Sequence, residues 1–229
     1  MNNNDELKNK MIEWGAAKVG YADLKAVLPE EYKHLSTGIS FVIRLSDEII
    51  SQIKDSPTHT YFHHYRSVNT LIDQISLKAS IYLQNLGYLA MPIAASQSVN
   101  GEGRNYEGVF QHKTTATLAG IGWIGKSACL ITQEYGPRVR LGTVLTNMTV
   151  KVDQPMVLSL CGNCNTCVDN CPAMAIRGKL WNQEVAREEF FDAKACSVHM
   201  HKKYQHIGRG AVCGICIKSC PKGTQVIKR

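Results

Sequence analysis

At 229 residues, 44% hydrophobic and 20% charged, the chain has the material for an ordinary globular core, either one domain or a larger domain carrying a small module. No apolar run is long enough to cross a bilayer, and the opening MNNNDELKNKMIEWG lacks the apolar stretch of a secretory signal, so the expected location is the cytoplasm, with no membrane partner. The formal charge of +7, with eight Lys or Arg and no Asp or Glu from Ala193 onward, would at first sight suit a nucleic-acid surface.

In chain order, residues 5–18 read as a first helix, with Leu7, Met11 and Trp14 spaced to share one face. GISFVIRLS, from Gly38 to Ser46, has the composition of a strand. THTYFHHYR, with His63 and His64, reads as a packed aromatic loop. Val68, Leu71, Ile72, Ile75, Ala79, Tyr82 and Leu83 then recur at helical intervals, and Gly87 supplies a stop. YLAMPIAAS, 88–96, reads as a buried strand, followed by a glycine-rich loop through Phe110. Alternating helices and strands predict an α/β or α+β body over residues 1–155. After Pro155 short cysteine-rich loops replace the long apolar periodicities, which sets a second module at 156–229.

GIGWIGKS, residues 120–127, matches the pattern of a phosphate-binding loop. Such a loop works because a strand delivers the chain to the glycines and a helix starts at the Lys-Ser, aiming backbone N–H groups at the phosphates. Here HKTTATLAG before it reads as helix or loop, and ACLITQ after it reads as strand. The glycines are therefore expected to permit close backbone approach, and nucleotide binding is not expected. Cys129 in this segment reads as a small buried hydrophobe.

Eight of the nine cysteines lie between 161 and 220, which marks a local site. CGNCNTCVDNCP carries Cys161, Cys164, Cys167 and Cys171 in the C-x2-C-x2-C-x3-C-P spacing of two-cluster iron–sulfur modules, where the fourth cysteine serves the other cluster. CGICIKSCP adds Cys213, Cys216 and Cys220. The crossing rule gives one 4Fe-4S cluster to Cys161, Cys164, Cys167 and Cys220, and a second to Cys171, Cys213 and Cys216, with Cys196 as its remaining ligand. Structural zinc on four cysteines is the competing reading. Eight thiolates and two dicationic cores would bring the net charge to about +3, so much of the basic excess offsets the clusters and a nucleic-acid partner is not expected. His199, His201 and His206, in the basic stretch, read as surface or hydrogen-bonding residues.

With AGIGWIGKSACLI, LGTVLTN at 141–147 and the complete cysteine set, the chain resembles the epoxyqueuosine reductase and reductive dehalogenase family of corrinoid iron–sulfur enzymes, over roughly residues 60–221. The resemblance implies a nitroreductase-like body that binds cobalamin or a related corrinoid, joined to a ferredoxin-like module with two 4Fe-4S clusters. It also implies that Gly122, Gly125 and Lys126 form a turn beside the ring, with Arg140, Leu141, Gly142 and Thr143 in a second nearby segment. FMN is the alternative occupant of such a body. The acidic proton donor of the queuosine enzymes has no counterpart; Tyr106 stands at its place, with Glu107 beside it, and these two are the candidate catalytic residues. The chain is also much shorter than those reductases.

Two functions follow. One is a corrinoid-dependent reductase that relays electrons through both clusters to cobalt and on to a small organic substrate, fed by reduced ferredoxin or flavodoxin. The other is a non-catalytic electron-transfer or activating protein that reduces a corrinoid or flavin on a partner. A purely structural iron–sulfur module is a third class, supported only by the basic tail.

Overall fold

The computed structural model describes residues 3–99, 106–210 and 212–223. The chain forms two compact units, each assembled from three segments: residues 1–44, 68–121 and 140–156 in the first, and 45–67, 122–139 and 157–229 in the second.

The first unit is built on a four-stranded sheet. Helix α1 (Asn3–Glu13) buries Leu7 and Met11, as their spacing predicts, while Trp14 falls just past its end. Strand β1 (Lys18–Asp23) follows and pairs antiparallel with β2 (Thr37–Arg44), Lys18 opposite Val42 and Asp23 opposite Thr37. The sheet order is β1-β2-β6-β3, with β3 at Ala90–Ile93 and β6 at Val139–Thr146. Seven consecutive residues of β2 are buried, which is the mark of a central strand covered on both faces. β3 departs from its expected burial. It is an edge strand in which only Ile93 is buried, and Pro92, which has no N–H to donate, is tolerated there for that reason.

Helix α3 (His59–Asn85) comes after the short α2 (Asp47–Ser51). It starts well before the periodicity suggested, because THTYFHHYR is helical and not a loop. Val68, Ile72, Ile75, Ala79 and Leu83 form its buried stripe. It ends where expected: Gly87 is left-handed at φ +85°, and Tyr88 N–H reaches back to the Leu83 carbonyl at 3.0 Å.

α4 (His112–Leu118) is tied to this sheet by the ring of His112. Its Nε2 lies 3.0 Å from the Ala94 carbonyl and its Nδ1 2.9 Å from Thr143 Oγ1. A carbonyl only accepts, so Nε2 carries the proton and Nδ1 accepts from the threonine hydroxyl. Burial, with Arg140 and Lys113 also contributing, holds the His112 pKa below its ordinary value. A histidine with a depressed folded-state pKa stabilises fully above its unfolded value, near 6.5, and loses that contribution as pH falls. Thermal melts should therefore fall as pH drops from about 7 to 5, and His112→Gln should flatten that slope.

The second unit is loop-rich. A two-stranded hairpin of β4 (Trp123–Ile124) and β5 (Leu130–Ile131) carries the Gly-Lys-Ser segment, and α2 and the start of α3 share the unit with α5 (Thr166–Asp169), α6 (Arg187–Phe190), α7 (Ala193–Gly208) and α8 (Ile215–Ser219). Its small core packs Ile124, Ala128 and Phe190 against Trp181, Val185 and Phe191. Residues 193–208 were not expected to be regular, yet they form a four-turn helix, capped by Asp192, whose side chain accepts from the Ala195 N–H at 2.8 Å.

Candidate iron–sulfur centre

All eight clustered cysteines belong to the second unit; Cys167, Cys196 and Cys216 are helical and the others lie in the irregular stretches beside the short helices. Cys161 and Cys164 flank a turn closed by the Cys164 N–H on the Cys161 carbonyl, and α5 carries Cys167. Cys171 follows that helix, its Sγ accepting from the Ala175 N–H at 3.4 Å. Cys196 lies in the first turn of α7. Cys213 precedes α8, Cys216 is within it, and Cys220 ends it.

Their mutual electrostatics sort them into two sets. Burial pushes the Cys167 thiol up to about 12, and Cys161, Cys220, Cys129 and Cys164 add to the effect as its neighbours. Burial likewise pushes Cys196 up to about 12, with Cys213, Cys171, Cys129 and Asp192 beside it. Cys213 is raised by burial and by Cys171. The thiol of Cys216 is raised by a hydrogen bond with Cys129, then by burial, then by Cys129, Cys213 and Cys196. Cys220 is raised by burial, with Cys161 and Cys129 adding to it and the Lys222 backbone and Arg138 opposing it. One neighbourhood is thus Cys161, Cys164, Cys167 and Cys220; the other is Cys171, Cys196, Cys213 and Cys216. Each supplies four thiols, the ligand count of a 4Fe-4S cube. Among the described residues no three His, Cys, Asp or Glu converge closely enough to hold a single metal ion.

Cys129 does not behave as apolar filler. It is half-buried, and it neighbours members of both sets. The sequence offered only its place in a Ser-Ala-Cys turn of an otherwise apolar segment.

The phosphate-loop likeness also resolves here. No helix begins at Lys126; the chain turns and re-enters the hairpin as β5. A Cβ on Gly122 would stand 2.2 Å from the Ile131 carbonyl oxygen, and one on Gly125 would stand 2.7 Å from Ile131 Cγ1 and 3.3 Å from Cys161 Sγ. The glycines let the hairpin close and lie against a cysteine. Lys126 is only 5% exposed, and its Nζ donates to Asn165 Oδ1 at 2.8 Å, inside the CGNCNTC turn. Calorimetry with magnesium ATP or GTP should show no micromolar binding, because the strand-and-helix geometry that gathers phosphate-binding amides is missing.

Arg138, which sequence reasoning did not single out, is buried in the same unit. Its Nη1 donates to the Lys222 carbonyl at 2.8 Å and its Nη2 to the Cys220 carbonyl at 3.4 Å, with Asp47 3.8 Å from Nε.

The residues expected along a corrin ring have other contacts. Arg140 donates from Nε to Asn69 Oδ1 at 3.0 Å and from Nη2 toward the Ala95 carbonyl. Leu141 is half-buried, Thr143 is held by His112, and a Cβ on Gly142 would stand 2.2 Å from the Phe41 ring. Gly142 thus makes room for a core aromatic, and Gly142→Ala should cost about 1–3 kcal/mol in a denaturant titration through overpacking. Tyr106 is 44% exposed with φ +60°, and the Glu107 carbonyl accepts from the Val99 N–H at 2.7 Å.

Residues 160–223 match the model of the 4Fe-4S double cluster binding domain. The chain is similar to the epoxyqueuosine reductase of Gloeobacter violaceus, 46% identical over 69 residues that make up 30% of this chain and 21% of that protein. It is also similar to the tetrachloroethene reductive dehalogenase of Desulfitobacterium hafniense, 28% identical over 140 residues, 60% of this chain and 23% of that one. Among solved structures, a catabolic reductive dehalogenase in complex with 3-bromo-4-hydroxybenzoic acid superposes with a TM-score of 0.74 at 17% identity, over 96% of this chain and 32% of the other. A reductive dehalogenase whose structure is said to suggest a mechanism for B12-dependent dehalogenation gives 0.71 at 17%, over 96% and 31%. An epoxyqueuosine reductase solved with a tRNA stem loop gives 0.62 at 19%, over 97% and 65%. The matched stretches span about a fifth of those curated relatives. The chain therefore has the α+β fold of both kinds of reductase and carries a double 4Fe-4S domain. No helix among the described residues is long and apolar enough to cross a membrane.

Proposed function

We propose that the chain is an iron–sulfur oxidoreductase whose two 4Fe-4S clusters pass electrons singly to a corrinoid, for reduction of a small organic substrate. The observation that carries this reading is the match of residues 160–223 to the 4Fe-4S double cluster binding domain, and the neighbourhoods of its eight cysteines support two sets of four. Cys161, Cys164, Cys167 and Cys220 are the ligands of one cube; Cys171, Cys196, Cys213 and Cys216 are those of the other. Reversible one-electron transfer at low potential is the chemistry the clusters supply when bound. The chain's own part is to hold four thiols at each site, to keep Cys196, Cys213 and Cys216 half-buried, and to present backbone amides such as that of Ala175 to the sulfurs. Reduced ferredoxin or flavodoxin is the proposed donor.

The corrinoid, the nitroreductase-like character of the first unit and the catalytic pair Tyr106 and Glu107 rest on likeness to the reductases. The side chains of Lys126, Arg140 and Thr143 and the open face of Gly142 are spent on internal contacts and do not by themselves form a cradle for the ring. Those contacts, with the exposure of Tyr106, favour a second reading, an electron-transfer or activating protein for a corrinoid or flavin on a partner.

The test is an anaerobic absorption and EPR titration of the cluster-loaded chain with cobalamin and, separately, with FMN. Stoichiometric cobalamin binding with cluster-dependent reduction to Co(I) supports the reductase. Binding of FMN alone removes the corrinoid, and binding of neither selects the partner-reducing role. A tRNA stem loop belongs in the same series, since one relative was solved with it.

A further inference from the structure

Two buried cations flank one set of cysteines, whereas an anion faces the other. Lys126 is fixed on Asn165, next in sequence to Cys164, and its charge bears on that thiol. Arg138 is fixed on the carbonyls of Cys220 and Lys222, and its charge bears on Cys220. Both side chains are close to fully buried, so solvent screens them little. The opposing charges on this side are Asp169, which bears on Cys164, and Asp47, 3.8 Å from the Arg138 Nε and partly exposed. At the second set Asp192 bears on Cys196, and it is in turn paired with the half-exposed Arg177 at 3.9 Å. Cys129 hydrogen-bonds with Cys216 on that side, but brings no positive charge to it.

We infer that Lys126 and Arg138 set the reduction potential of the cube on Cys161, Cys164, Cys167 and Cys220 above that of the cube on Cys171, Cys196, Cys213 and Cys216. Reduction adds one electron, and hence one negative charge, to a cube, which a nearby buried cation stabilises and a carboxylate opposes. The electron of a singly reduced chain then rests on the Lys126 side, and the cube near Asp192 is the stronger reductant of the pair. This gives Lys126, the lysine of the false phosphate loop, a task as a positioning residue for charge. The inference rests on the two-cluster reading.

The test is an EPR-monitored redox titration of the reconstituted full chain, with dithionite as reductant and iron counted in every sample. Lys126→Gln should shift the higher of the two potentials downward by about tenfold in the reduction equilibrium, ~59 mV for a one-electron couple, and leave the lower one in place. Lys126→Arg should keep the wild-type value. Asp192→Asn, which can still cap α7, should raise the lower potential and narrow the gap. Cys196→Ser, left with one cube, should titrate at the higher wild-type potential. Should Lys126→Gln fail to hold iron, the Asp192 and Cys196 variants decide the matter. Two equal wild-type potentials, a Cys196→Ser chain that titrates at the lower value, or an Asp192→Asn chain with an unchanged gap each overturn the inference. A wild-type iron content of about four would instead overturn the two-cluster reading beneath it.

Discussion

Anaerobically reconstituted wild-type chain is expected to carry about eight iron and eight acid-labile sulfide, and Cys196→Ser about half of each. The reason lies in the neighbourhoods. Cys196 is grouped with Cys213 and Cys171, so its loss leaves one cube a ligand short without touching Cys161, Cys164, Cys167 or Cys220. The control is Cys129→Ser, which should keep all eight iron. That control is stringent because Cys129 neighbours both sets and bonds to Cys216; were it a ligand, its replacement would cost four iron as well. Iron and sulfide analysis with the intensity of the reduced-cluster EPR signal separates the outcomes. Equal loss from the two variants, or four iron in the wild type, would overturn the ligand sets.

What the sequence revealed was local, and what it concealed was long-range. The cysteine spacing is short enough to read directly, so the double 4Fe-4S domain was legible in the sequence, and the crossing of fourth ligands, a rule of the pattern, proposes its two sets. The change of composition after Pro155 likewise coincides with the start of a segment of the second unit at Val157. Nothing local shows that residues 45–67 and 122–139 join that unit too, because their contacts are with residues far along the chain: Arg138 with Cys220, Lys126 with Asn165, the Asp55 carbonyl with the Tyr204 hydroxyl. Strand β1, KVGYAD, was hidden by a central glycine and a terminal aspartate, poor strand formers that pairing with β2 overrides. β3 looked buried because its residues are apolar, although edge position is a property of the sheet and not of the strand. Helix α7 carries too little apolar contrast to be seen; its order comes from the Asp192 cap and from Tyr204, whose hydroxyl donates to the Asp55 carbonyl at 3.1 Å.

Gly136→Ala is expected to do more damage than any other single methyl group added near the centre. Gly136 is left-handed at φ +55° and closes the 132–136 turn by exchanging backbone hydrogen bonds with Thr132, at 2.9 and 3.0 Å. A Cβ there would lie 2.0 Å from the Lys222 carbonyl oxygen, and a Cβ on the facing Gly223 would lie 2.0 Å from the Tyr135 carbonyl carbon. Both obstacles are backbone, so no rotamer change relieves them. The Lys222 carbonyl is also the acceptor of Arg138, and Cys220 lies two residues before it. Separating these strands of chain therefore moves Cys220 and the cation beside it together. The left-handed alanine costs about 1–2 kcal/mol and the overpacking about 1–3 more. Gly162→Ala is the matched comparison: its φ is +53°, but nothing lies within 4 Å of the added carbon, so only the conformational cost remains. Gly136→Ala should lower the thermal midpoint of the cluster-free chain markedly and hold about half the iron after reconstitution, whereas Gly162→Ala should reconstitute fully. If both variants bind iron equally well, the seat of Cys220 does not depend on the closure of residues 132–136 against 222–223.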